Sequence, residues 1–258
     1  MSEIIKAGET TALEGYLRAF TSARISLART GNSITTRDTL AFALDHAQAR
    51  DAVHATLSLP TLLGELQARG LSVFAVKSAA ANRQSYLKRP DLGRVLSEAS
   101  AAALRSHATT GGLPRLTIIL ADGLSALATD RHALAVVDAL LPLARGSWEI
   151  SEIVVAEQAR VALGDEIGEA LGAKATVMLI GERPGLSAAD SLGAYITWEP
   201  HVGRTNAERN CISNIRGEGL LPEAAAERIA YFLRESLRLQ VTGTALKDPD
   251  APALQLTD

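Results

Sequence analysis

Glu182 is the residue whose setting most invites chemistry. It follows Ala175–Ile180, a short unbroken apolar run between Gly172 and Gly181. A strand buried on both faces reads this way. The turn after it, Gly181-Glu182-Arg183-Pro184-Gly185-Leu186, cannot continue as helix, because Pro184 removes a donor and Gly185 frees the backbone. Ligands of open parallel sheets sit outside the carboxyl ends of the strands, and that is where the order of residues puts Glu182. On an ordinary surface turn the same carboxylate would simply be solvated. The other candidates carry less. Cys211 is the only cysteine, so it has no disulfide or redox partner, and alone it reads as a small packing hydrophobe. The five histidines, at 46, 54, 107, 132 and 201, show no H-E-x-x-H or His/Cys pairing with metal spacing. Ser125 follows a strand but lacks the G-x-S-x-G elbow of a hydrolase. Gly217-Glu218-Gly219 is the nearest approach to a dinucleotide fingerprint, and Pro222 stands where its third glycine is required. No residue is assigned to catalysis or to a metal.

The elements that must hold Glu182 follow from periodicity and punctuation. Residues 9–20 read as a short helix, Asn32-Ser33 as a loop, and Thr36 as the cap of a helix from Arg37 to about Leu57. Pro60 suits the first turn of a further helix that Gly70 closes. Residues 1–70 are therefore expected to form an all-helical N-terminal segment. The period then changes. Strands are expected at 72–76, 116–120 (the strongest, LTIIL), 153–156, 175–180 and 194–198. Helices are expected from Leu92, capped by Asp91, to about Ser106, after Ala121-Asp122-Gly123 through Leu141, near 161–171, and from Pro222 to about Val241. Strands alternating with helices of this length predict an α/β domain over 71–247: a Rossmann-like, mostly parallel, doubly wound sheet with helices on both faces. Gly164, Gly168 and Gly172 recur every fourth residue, which reads as a helix lying close on the sheet. Residues 248–258 read as a frayed tail.

Composition narrows the function. A net charge of −3 over 258 residues leaves no electrostatic footprint for nucleic acid. The opening MSEIIKAGETTALEG has acids and no apolar core, so it does not read as a signal peptide. No run reaches the roughly 18 apolar residues of a membrane helix. With one thiol, the reading is a soluble cytoplasmic protein.

Six stretches carry a resemblance: TSARISLARTG at 21–31, DHAQARDAV at 45–53, YLKRPDLGR at 86–94, ADGLSA at 121–126, GERPGLSAADSLGAY, and TNAERNCISNIR. In that order they resemble the small (light) subunits of ethanolamine ammonia-lyase. The resemblance implies a bacterial, adenosylcobalamin-dependent enzyme that converts ethanolamine to acetaldehyde and ammonia by a radical mechanism, in some bacteria inside a microcompartment. It implies a large catalytic subunit as partner, with the small subunit contributing part of the cobalamin cleft and showing no activity alone. The family's cobalamin contacts map onto Val161, Glu182 and Cys211. The corrin rim carries amide donors, and a carboxylate accepts from such a donor by a charge-assisted bond. The resemblance also implies that the cofactor's own base stays on cobalt. In keeping with that, Asp130-Arg131-His132 lacks the glycine of the Asp-x-His-x-x-Gly signature, has Ala135 there instead, and reads as a solvated helix face. The alternative reading is a free-standing α/β binding or scaffolding module without activity, and a weaker third is a cryptic nucleotide-dependent enzyme.

Overall fold

A computed structural model describes residues 16–17, 19–20, 24–25, 27, 29–107 and 113–248. Residues 9–15 and 18 of the expected first helix and the tail from 249 lie outside the described residues.

The first two strands, β1 (Arg29–Thr30) and β2 (Ser33–Ile34), form an antiparallel hairpin. Gly31 takes φ +63°, the left-handed start that a tight two-residue turn demands and glycine supplies. The expected loop at Asn32-Ser33 is thus a hairpin, and the N-terminal segment is not all helical. Helix α1 (Thr36–His54) is capped one residue earlier than expected, by Thr35, whose hydroxyl accepts from the Asp38 amide at 3.2 Å. Helix α2 (Leu59–Ala68) has Pro60 in its first turn, as read.

The α/β unit begins with β3 (Val73–Lys77). Instead of one helix from Leu92, the chain makes α3 (Arg83–Lys88), a 3-10 turn at Leu92–Arg94, and α4 (Glu98–Arg105). Asp91 does not cap because Arg89 takes its carboxylate at 2.9 and 2.6 Å. Ser97 caps α4 through the Ser100 amide. There follow β4 (Arg115–Ala121), α5 (Ala126–Ala144), β5 (Glu149–Ile150), β6 (Ile153–Glu157), α6 (Leu163–Ala170), β7 (Ala175–Gly181), β8 (Leu192–Trp198), β9 (Arg209–Ile215) and α7 (Pro222–Leu239).

These strands form one seven-stranded sheet ordered β3-β6-β4-β7-β8-β9, with β5 beside β4. Strands β3 to β7 pair in parallel, whereas β7/β8 and β8/β9 are antiparallel. The sheet is mixed, because the links 182–191 and 199–208 contain no crossover helix, and a parallel return needs a dozen or more residues. Side chains alternate across it. Leu116, Ile118, Leu120, Val177 and Leu179 pack under α2, α5 and α7, while Ile119, Ala121, Met178 and Ile180 pack under α4 and α6. Helix α6 does lie close: a Cβ at Gly168 would fall 2.6 Å from Thr176 Cγ2. Gly172, at φ +65°, ends the helix and has no such neighbour.

The consequence for function is an edge. The carboxyl ends of β3, β4, β6 and β7, the start of β8 and the end of β9 all emerge on one side of the sheet.

Candidate functional site

Glu182 is the first residue beyond β7 on that edge. Its backbone is fixed from two sides. Its amide donates to the Ser191 carbonyl at 2.9 Å, and the preceding carbonyl, of Gly181, accepts from the Leu124 amide at 2.9 Å. This close approach of the β4 and β7 exits needs glycine at both: a Cβ on Gly123 would come within 2.1 Å of the Gly181 oxygen, and one on Gly181 within 1.9 Å of the Ser125 oxygen.

The Glu182 carboxylate is held by one oxygen. Oε2 accepts from Ser191 Oγ at 2.5 Å and from the Asn214 amide at 3.2 Å. Asn214 can present that amide because it takes φ +62°, which asparagine tolerates better than most residues. Below the other oxygen lies Gly193, where a Cβ would stand 3.0 Å from Oε1. The β8/β9 register shifts between Leu192 and Ala194, an irregularity of the kind that re-aims side chains near sites. Oε1 makes no hydrogen bond among the described residues.

A cavity of about 240 Å³ opens beside this carboxylate, lined among others by Tyr86, Arg160, Val161, Glu182 and Tyr195. Val161 and Glu182, distant in sequence, therefore share one wall. Cys211 is not in that lining. It lies one strand further along, opposite Tyr195 in the β8/β9 ladder, with an exposed thiol whose Sγ is 3.4 Å from Ser213 Oγ. Burial first, then the Cys211 thiol and the Glu182 carboxylate, hold the Tyr195 phenol above its usual range.

Sequence reading missed a second carboxylate on the same edge. Asp122, just past β4, is 1% exposed. Its oxygens accept from the Gln158 and Ala159 amides at 2.9 and 3.0 Å and face Arg83 Nη1 at 3.3 Å. Burial raises its pKa to about 6, against the pull of those amides and Arg83. Arg83 also reaches the Val53 and Gly123 carbonyls at 2.8 and 2.7 Å, tying α1, α3 and the β4 exit into one knot. The Arg83 and Arg160 guanidiniums both lie over the Tyr86 ring, 5.0 and 4.5 Å from its centroid, and Tyr86 donates to the Ala159 carbonyl at 2.8 Å. Its position immediately after the strongest strand, within the stretch ADGLSA at 121–126, was the available signal for Asp122.

The remaining candidates resolve into structural work. Ser125 caps α5 and donates to the Ala189 carbonyl at 2.8 Å. Asp130-Arg131-His132 is not merely a solvated face. Asp130 accepts from the Ser58 hydroxyl at 2.9 Å, and Arg131 and His132 both meet Asp190 Oδ2, at 2.8 and 3.3 Å. These bonds pin the 182–191 loop and the α1–α2 link to α5. Among the described residues no group of three or more His, Cys, Asp or Glu could hold a metal ion, and no helix is long and apolar enough to cross a membrane.

Comparison with known proteins bears on the family of the chain. Residues 13–247 match the family model described as ethanolamine ammonia-lyase light chain. An ethanolamine ammonia-lyase small subunit of Bradyrhizobium diazoefficiens is 55% identical over 237 residues, covering 91% of this chain and 90% of its own. One from Pseudomonas aeruginosa is 54% identical over 235 residues, 90% and 86% of the two chains. One from Azotobacter vinelandii is 53% identical over 234 residues, 90% and 87%.

Proposed function

Because the chain belongs to the ethanolamine ammonia-lyase light-chain family, and so acts as the small subunit of an ammonia-lyase, we propose that its sheet edge forms one wall of an adenosylcobalamin cleft shared with a large subunit. Val161, Glu182 and Cys211 are the proposed contacts. The observation that carries this reading is Glu182 itself, with one oxygen anchored and the other without a hydrogen bond among the described residues, beside a cavity that Val161 also lines.

The residues suit the group. The corrin rim offers amide donors, and Glu182 Oε1 is an acceptor that needs one. Gly193 leaves the space in which that oxygen stands. Val161 offers apolar contact, and Cys211 a small, exposed side chain on the neighbouring strand. A cavity of about 240 Å³ holds only part of a corrin, which agrees with a shared cleft. Bound adenosylcobalamin supplies the radical chemistry that converts ethanolamine to acetaldehyde and ammonia. This chain's part is to bind and orient it: Ser191 and Asn214 fix the Glu182 carboxylate, and Asp122 and Arg83 fix the loop that carries Val161. None of the described residues is proposed as a catalytic acid, base or nucleophile.

The large subunit is the proposed partner. Exposed apolar residues on α1, among them Leu40 at 65% and Leu44 at 59%, support a face that a partner covers. A Rossmann-like α/β unit over 71–247 behind a smaller N-terminal segment, 1–70, is the proposed division of labour, and the bacterial cytoplasm, with or without a microcompartment shell, the proposed setting. The test is reconstitution. Co-expressed with a cognate large subunit, the chain should support adenosylcobalamin-dependent ammonia release from ethanolamine, and neither chain alone should. Release by the isolated small subunit with cofactor, or a pair that works without cofactor, would refute the reading.

A further inference from the structure

Helix α1 is held to the rest of the molecule mainly at one end. Of its residues only Ala49 and Ala52 are buried, while Leu40, Phe42 and Leu44 stand exposed. Helices in proteins draw most of their stability from packing, and α1 has little, so the bonds at its last turn matter. The last four carbonyls of a helix have no intrahelical donor, and Val53 carries one of them. Arg83 Nε donates to it at 2.8 Å, which also puts a cation at the negative end of the helix dipole.

The same guanidinium holds the exit of β4. Its Nη1 donates to the Gly123 carbonyl at 2.7 Å and meets Asp122 Oδ2 at 3.3 Å. Asp122 in turn accepts from the Gln158 and Ala159 amides, just past β6, at 2.9 and 3.0 Å. That exit is not relaxed. Gln158 takes φ +56°, a left-handed backbone that costs a non-glycine residue free energy and persists only where its surroundings over-determine it. Its Oε1 is buried without a hydrogen bond among the described residues, and so is Arg83 Nη2. Unmet buried groups are costly, which makes the arrangement easier to leave. A sparsely packed helix and a strained strand exit therefore share one side chain.

We propose that Arg83 couples the two: an ordered α1 keeps the β6 exit in its left-handed form, and loss of order in α1 releases it. Arg83 is a positioning residue, acting on the exit through Asp122. A partner that covers α1 then braces the β6 exit from a distance, and assembly shapes that edge of the sheet. This consequence rests on α1 as the large subunit's face, as proposed above, whereas the coupling itself lies within the chain.

The test is residue-resolved amide hydrogen exchange on the full chain, without cofactor, which reads local opening directly. Gln48 lies inside α1 and is exposed, so Gln48→Pro breaks the helix without touching Arg83. It is read with Arg83 in place and with Arg83→Lys. Lysine keeps the charge beside Asp122 but lacks the fork that spans Val53 and Gly123. With Arg83 in place, Gln48→Pro should speed exchange at the Gln158 and Ala159 amides about fivefold or more. With Arg83→Lys it should not. Amides of β4 report global unfolding, and the milder Gln48→Gly replaces the proline if they quicken as well. No acceleration at Gln158 and Ala159, or equal acceleration in both backgrounds, overturns the coupling. Assembly supplies the second arm. Adding the large subunit should slow exchange along α1 and at Gln158 and Ala159, but only along α1 in Arg83→Lys. An exit that fails to slow with α1, or slows equally in Arg83→Lys, overturns the bracing. An α1 left unprotected in the assembled enzyme sinks the docking reading instead, and the Gln48 variants alone then decide the coupling.

Discussion

Two carboxylates leave the sheet on the same edge, from neighbouring strands, and have opposite fates. Asp122, after β4, is sealed: both oxygens accept from backbone amides, and Arg83 lies against it. Glu182, after β7, is half engaged: among the described residues Oε2 is bonded twice and Oε1 not at all. The difference lies in what surrounds each one. Around Asp122 the amides of Gln158 and Ala159 and the side chain of Arg83 close in, so the acid works as a strut. Around Glu182, glycine at 193 and the short hairpin-like link to β8 leave one side open. An acid at a strand's carboxyl end is therefore not itself evidence of a ligand. The count of unmet bonds on its oxygens separates the two cases.

The sharpest way to break the comparison is to remove each acid and watch stability. Asp122→Ala leaves a buried Arg83 without its partner, and breaking such a pair is expected to cost about 3–5 kcal/mol. Chemical denaturation should show this as a lowered midpoint with an unchanged slope. Glu182→Gln in the same assay should lose less than about 1 kcal/mol, as do most changes away from buried pairs. Equal losses would erase the distinction drawn here.

Titration separates them next. Asp122 has a folded pKa of about 6, raised from 3.8, so the folded state binds its proton more tightly than the unfolded state does. Its contribution is complete below about pH 4 and is lost as pH rises through about 6, a difference of about 3 kcal/mol. The wild-type stability curve, less that of Asp122→Asn, should fall across that window. A flat difference would mean that the acid's ionised form is as well accommodated as its neutral one.

The smallest effect concerns how Glu182 is aimed. Ser191→Ala removes one of the two donors to Oε2 and leaves the Asn214 amide. Cofactor affinity should weaken only about threefold to tenfold, the worth of roughly one hydrogen bond, and stability should barely move. A loss as large as that from changing Glu182 itself would make Ser191 a direct contact instead of a positioning one.

How much of this was legible beforehand follows the range of the forces. Strands β4 and β7 and the Glu182 turn were readable because apolar runs, proline and glycine act locally. Helix α7 was readable from Pro222 for the same reason. The direction of β8 was not, since a single run of apolar residues looks alike in either direction and only the lack of a crossover helix decides it. Helix α3 was missed, and Asp91 was miscast as a cap because Arg89 competes for its carboxylate. The Asp122–Arg83 pair spans 39 residues and the Arg209–Asp165 pair 44. Such partners are set by the fold and leave no periodic trace. The same holds for Ser191 beneath Glu182, and for the proximity of Val161, which only the family resemblance indicated.

The central claim, that the unbonded oxygen of Glu182 is kept for the cofactor, has a direct test. In Glu182→Gln the fixed Asn214 N–H still requires an acceptor, so the amide oxygen takes the place of Oε2 and the NH₂ turns toward the cleft. A donor then faces the corrin's donors, leaving a buried group unmet at about 1–3 kcal/mol, or roughly fivefold to a hundredfold in affinity. The measurement is the dissociation constant of adenosylcobalamin on the two-subunit enzyme, wild type against Glu182→Gln, with melting temperatures matched. Weakening within that range is expected, with turnover at saturating cofactor reduced far less. An unchanged constant in a properly folded variant would contradict it and return Glu182 to the solvated surface.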